Sequence, residues 1–193
     1  MNRFKKLMIS IFYAILLPLA PKWYAFTMWL TKKRGVEIRS YKYEHEIAEA
    51  LSWGRTWVSD PLGGVLDNMY HPTRVQFNMN LGRPVGDCDD HAVYWCAALL
   101  KSKLARKVWL SFYQYERVDG HVGGHVVCVF EKLGGGCYWV DYGIPAKIAK
   151  RSDWLITMEK KKMRRVLGAA EIPVESMKFD GTLVLGKAKK LYH

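Results

Sequence analysis

The chain has 193 residues, half of them hydrophobic and a quarter charged, which excludes a disordered or low-complexity protein and leaves room for one hydrophobic core. Its net charge of +12 sits at the ends: residues 1–36 carry seven basic residues and no acid, 37–156 carry 14 of each sign, and 157–193 carry nine basic and four acidic. The neutral middle, with no recognised nucleic-acid motif, argues against a nucleic-acid binder, whereas the basic ends suit an anionic membrane or an acidic partner protein.

The chain therefore divides into a basic, apolar and aromatic helical extension over 1–36, a central domain over 37–156, and a basic carboxy-terminal extension over 157–193 that can complete a sheet. In the first segment, Arg3, Lys5 and Lys6 precede the apolar run Leu7 to Ala20. Three readings stay open: an uncleaved anchor or interfacial helix pair, a helix packed on this domain or on a partner chain, or a cleaved signal. Pro21 after Ala20 suits cleavage poorly, and Pro18, Pro21 and Lys22 interrupt a membrane span. Trp23 to Leu30 is aromatic-rich and leads into Lys32, Lys33 and Arg34, a composition suited to a membrane interface. Association with a membrane or a larger assembly is expected over a freely soluble cytoplasmic life.

Ile47, Ala48, Leu51, Trp53 and Trp57 recur at helical spacing, predicting a helix over 43–58. Asp60-Pro61 and Gly63-Gly64 break it, and 61–86 reads as a long loop with short helical pieces. The next helix starts at Asp87, an N-cap with Asp90 three residues on in a capping-box pattern. Cys88, Ala92, Trp95, Cys96, Leu99 and Leu100 form its apolar stripe. Strands follow at 108–115 and 125–130, with Asp119-Gly120 and Gly123-Gly124 bracketing a turn. Gly134-Gly135-Gly136 then turns the chain into Cys137 to Asp141, and a last strand is expected near 182–185. One helix followed by antiparallel strands predicts an α+β fold.

The four cysteines are Cys88, Cys96, Cys128 and Cys137. The absence of CxxC excludes a zinc ribbon or a thioredoxin-type site, and the apolar settings of Cys96 and Cys128 predict buried thiols in a reducing compartment. Cys88 is different. It begins the best-capped helix, where free N–H groups and the helix dipole favour a thiolate and can stabilise an oxyanion. A thiolate needs a base and a group to orient that base. His125 opens a strand after two glycines, and Asp141 ends the next one. They lie nine residues before and seven after the turn at Gly134, so a hairpin makes them neighbours.

A lone cysteine at a helix start is usually structural, and a lone strand histidine is usually packed. Here three uncommon placements occur in workable order. Gly86-Asp87-Cys88-Asp89-Asp90-His91-Ala92 resembles the G-D-C-[DE]-D-x-A signature of bacterial transglutaminase-like cysteine proteinases. The likeness extends from about Tyr43 to Gly143 and includes Asp60, Asp67, Pro72, Leu99-Leu100, Arg106, Gly124-His125 and Trp139-Val140-Asp141. It implies a papain- or transglutaminase-like core, with Cys88 as nucleophile, His125 as base and Asp141 as its orienter. It further implies a protein or peptide substrate and neither cofactor nor metal. Ser102-Lys103-Leu104-Ala105 departs from the Gly-Ile-Pro turn common after the cysteine helix.

The alternatives are specific. His121 is a rival base, but its surroundings read as turn. Cys88, His91 and a strand histidine could bind zinc, though a fourth ligand is missing. Asp87, Asp89 and Asp90 suit a divalent cation less well than they suit the first turn of a helix. Gln76 is a weak candidate for a side-chain oxyanion donor. The same fold could also serve as a non-catalytic module in a phage particle or a membrane complex.

Overall fold

The computed structural model describes residues 17–52, 69–162 and 165–192. Several expected features lie outside these residues: the run from Arg3 to Leu16, the second half of the helix expected over 43–58 with Trp53 and Trp57, the breaks at Asp60-Pro61 and Gly63-Gly64, and Asp67.

The described residues form five α-helices and a seven-stranded antiparallel sheet, an α+β fold. After a 3-10 turn at Leu17–Leu19, the helices are α1 (Ala20–Thr31), α2 (Glu44–Ser52), α3 (Pro72–Asn80), α4 (Cys88–Lys101) and α5 (Asp153–Lys162). The strands are β1 (Ala105–Glu116), β2 (Val122–Lys132), β3 (Cys137–Val140), β4 (Ala146–Ile148), β5 (Arg165–Met177), β6 (Leu183–Leu185) and β7 (Lys189–Tyr192). Their order is β4-β3-β2-β1-β5-β6, with β7 also paired to β5. No helix among the described residues is long and apolar enough to cross a membrane.

Helices α1 to α4 lie on one face of the sheet and α5 on the other. Strand alternation shows this. Along β2, Val126, Cys128 and Phe130 join the core built with α4, while Val127 and Val129 join Trp154, Leu155 and Met158 of α5. Eleven of the 14 residues of α4 are buried, including Tyr94 and Trp95. The expected apolar stripe is thus a helix wrapped on nearly every side, with the sheet before it and α2 and α3 behind. Fully burying one large apolar side chain contributes about 1.5–3 kcal/mol, so α4 anchors the fold.

The segment 61–86 holds a helical piece, as expected: Pro72 at the first position and the His71 cap, whose Nδ1 accepts from Thr73 N–H at 3.2 Å, start the nine-residue helix α3. Two expectations need correction. Gly123 and Gly124 do not bracket a turn but lie within β2, opposite Tyr115 and Gln114; the turn itself closes earlier, Arg117 N–H donating to the His121 carbonyl at 2.8 Å. Asp141 follows the last residue of β3 instead of ending the strand.

The tail holds a 13-residue strand that composition conceals. β5 contains Gly168, Ala169-Ala170 and Pro173, all poor strand formers, yet it pairs with β1 from Val174 to Arg165. Pro173 lies between the stretch paired with β7 (Ala169–Glu171) and that paired with β6 (Val174–Met177), where no ladder bond needs its missing N–H.

Candidate active site

The start of α4 is tightly built. The Asp87 N–H donates to Asp90 Oδ2 at 3.3 Å, completing a capping box, and Tyr70 N–H donates to Asp90 Oδ1 at 2.6 Å. Asp90 is buried and ties the helix start to the chain ahead of α3. Gly86 has φ +119°, and a Cβ there would lie 1.7 Å from Asp90 Oδ2. Glycine is required both by the backbone and by the carboxylate packed over it. The spacing Gly86, Asp87, Cys88, Asp90 is therefore one device that seats the cysteine at the first turn.

His125 lies on β2, and Asp141 immediately follows the neighbouring strand β3. Along β2, β3 pairs with Cys128–Glu131 and stops short of the level of His125, and Asp141 follows beyond its end. His125 Nε2 and Asp141 Oδ1 lie 2.6 Å apart, with only 9% and 11% of the two side chains exposed. With Nε2 engaged by the carboxylate, the nitrogen left for other chemistry is Nδ1. His125 packs edge-on to Tyr113 with ring centroids 5.5 Å apart, and Tyr113 stands in turn against Trp154 of α5. The imidazole is held on one side by a carboxylate and on another by aromatic rings.

Cys88 belongs to the helical layer, whereas His125 shares the opposite face of the sheet with Tyr113. The approach between them runs round the edge of β2, where β3 has ended. Cys88, His91, Val126, Val140, Asp141 and Tyr142 line a small cavity there, too narrow to admit a water-sized sphere. Tyr142 touches both parties: its hydroxyl hydrogen-bonds Cys88, and its ring centroid is 5.7 Å from that of His125 and 4.9 Å from that of His91. Burial, reinforced by the neighbouring acidic groups Cys88 and Asp87, pushes the Tyr142 hydroxyl well above its ordinary pKa, so it stays a neutral donor. Its φ of +58° is unusual for an aromatic residue and turns the side chain to the cavity that Cys88 lines. Tyr142 was not among the residues expected from sequence. Its only local signal is Gly143 immediately after it.

The other candidates separate clearly. His121 is exposed in the β1–β2 turn, its N–H donating to Asp119 Oδ1 at 3.1 Å. Gln76 is buried in α3, its Oε1 accepting from Tyr94 Oη at 2.5 Å and Arg39 N–H at 3.0 Å and its Nε2 donating to Asn80 Oδ1 at 2.9 Å. Gln76, the weak candidate for an oxyanion donor, is not among the residues that line the Cys88 cavity. Cys96 and Cys128 are fully buried with their sulfurs 3.5 Å apart, and burial raises the Cys128 thiol pKa. Burial and then Glu131 raise that of Cys137. The four thiols form no disulfide. Asp87, Cys88 and Asp89 bring possible metal-ligand atoms within 4.8 Å of one another, so a divalent ion would compete for the same sulfur. No protein-family model matches the chain, and no curated protein matches its sequence.

Proposed function

We propose that this chain is a thiol-dependent acyl-transfer hydrolase, a cysteine peptidase or amidase of transglutaminase-like type with a papain-like core. The observation that carries the reading is the 2.6 Å contact between His125 Nε2 and Asp141 Oδ1 beside the cavity that Cys88 lines. It supplies an oriented imidazole, which is what a thiol nucleophile requires.

In this reading Tyr142 swings off the sulfur when a protein or peptide substrate enters. The Cys88 thiol passes its proton to His125 Nδ1, and the thiolate adds to the carbonyl carbon. The helix-start N–H groups, beginning with that of Cys88, receive the developing oxyanion. His125 returns the proton to the leaving amine as the carbon–nitrogen bond breaks, leaving a thioester on Cys88. Water, deprotonated by His125, then attacks the thioester and restores the thiol; an amine in its place makes the reaction a transfer. Asp141 keeps the imidazole in one tautomer and steadies its positive form.

The test is acylation by p-nitrophenyl acetate followed by peptide mapping. One acetyl group on the peptide containing Cys88, formed and turned over in the wild type and formed far more slowly in His125→Ala, is expected. The second reading is the non-catalytic module of a phage particle or membrane complex, favoured by the narrow cavity under Tyr142. It predicts no acetylation of Cys88 beyond the rate of a free thiol.

A further inference from the structure

Helix α1 has two faces of different purpose. Tyr24, Thr27 and Met28 are buried against the domain, and Tyr24 stacks on Phe112 of β1 with centroids 5.4 Å apart. The opposite face carries Trp23, Phe26, Trp29 and Leu30, which are 41, 49, 68 and 59% exposed. Trp23, Phe26 and Trp29 form a continuous aromatic strip, with successive centroids 6.0 and 6.2 Å apart. A soluble surface rarely gathers this much apolar area on one short helix without a use for it.

The charge around the strip selects the occupant. Residues 1–36 carry seven basic residues and no acid, and Lys22 and Arg34 are exposed near the two ends of α1. A second copy would bring one basic rim against another. Aromatic rings flanked by cations instead match the boundary between lipid headgroups and acyl chains, where tryptophan is favoured and each basic residue adds attraction to anionic lipid. A helix of 12 residues cannot cross a bilayer but can lie along its surface. We propose that the outer face of α1 is an interfacial docking surface for anionic lipid bilayers, fixing the domain to a membrane surface by a helix that is also part of its core. This holds independently of the hydrolytic reading.

The experiment is co-sedimentation of the full chain with phosphatidylcholine vesicles with and without phosphatidylglycerol. Binding is expected to the mixed vesicles and to weaken as salt rises. Replacing the strip (Trp23→Ser, Phe26→Ser, Trp29→Ser) should weaken it about tenfold or more. The charge pair Lys22→Glu and Arg34→Glu, which leaves the apolar strip intact, should weaken binding to the mixed vesicles. Circular dichroism of each variant confirms that the buried face still packs. Unchanged vesicle binding by the folded strip variant overturns the proposal. So does failure of the wild type to bind anionic vesicles, whether it binds polyglutamate instead, as an acidic protein partner would require, or forms a dimer that the strip substitutions dissolve.

Discussion

His125 Nε2 and Asp141 Oδ1 are 2.6 Å apart, His125 on β2 and Asp141 just past the end of β3, the neighbouring strand that a triple-glycine turn folds back. A contact this short between largely buried partners fixes which ring nitrogen is left for the thiol side. Asp141→Asn keeps the shape and removes the charge. It is expected to slow acylation of Cys88 by roughly 100-fold or more, with little change in urea unfolding, because the imidazole loses its preferred tautomer. The check is the single-turnover acylation rate beside an unfolding curve.

Gly86→Ala tests the seat of the cysteine. The new methyl would fall 1.7 Å from Asp90 Oδ2 in a backbone of φ +119°. Either the carboxylate gives up its bonds to Tyr70 and Asp87 or the turn before α4 moves. A loss of about 2–4 kcal/mol in urea unfolding is expected, from backbone strain and unmade buried hydrogen bonds.

Tyr142→Gly removes the side chain that hydrogen-bonds Cys88 and shares its cavity, and suits φ +58°. Iodoacetamide should then alkylate Cys88 about tenfold faster, as expected for removing a cover held by one hydrogen bond of about 1 kcal/mol and some ring packing. Quench-flow labelling followed by peptide mapping measures it.

His71 gives the protein an acid-sensitive joint. It is fully buried, its N–H donates to Thr31 Oγ1 at 2.8 Å, its Nδ1 lies 2.8 Å from Thr73 Oγ1 and its Nε2 lies 3.1 Å from Thr182 Oγ1. Burial first, and Lys32 second, hold its pKa down at about 4, against the opposing pull of Asp180. In the unfolded chain a histidine titrates near about 6.5, so between those values the unfolded state binds more protons. Its contribution is fully present above about pH 6.5 and is lost as pH falls towards 4. Urea midpoints should drop across that window, and His71→Gln should flatten the drop while lowering stability at neutral pH.

The sequence showed most plainly what local chemistry encodes. The α4 boundary was legible because Asp87 and Asp90 form a capping box, and the α+β order because the apolar period changes after Lys101. The meeting of His125 with Asp141 followed from their nearly equal distances to the glycine turn. β5 was concealed because its alanines, glycine and proline are placed by pairing with β1, not by local preference. The network of Gln76 was concealed too: Tyr94 and Arg39, far along the chain, decide which way its amide faces. Tyr142 acts through a left-handed backbone and a contact across the sheet edge, neither of which has a residue pattern.

The pH profile of Cys88 alkylation by iodoacetamide, read peptide by peptide in the wild type and in His125→Ala, tests the central claim most directly. A poised nucleophile predicts fast labelling at Cys88 below the ordinary thiol range of about pH 8.5, with Cys96, Cys128 and Cys137 lagging and the histidine variant slowed. Labelling of Cys88 at the pace of an ordinary thiol, indifferent to His125, would contradict it.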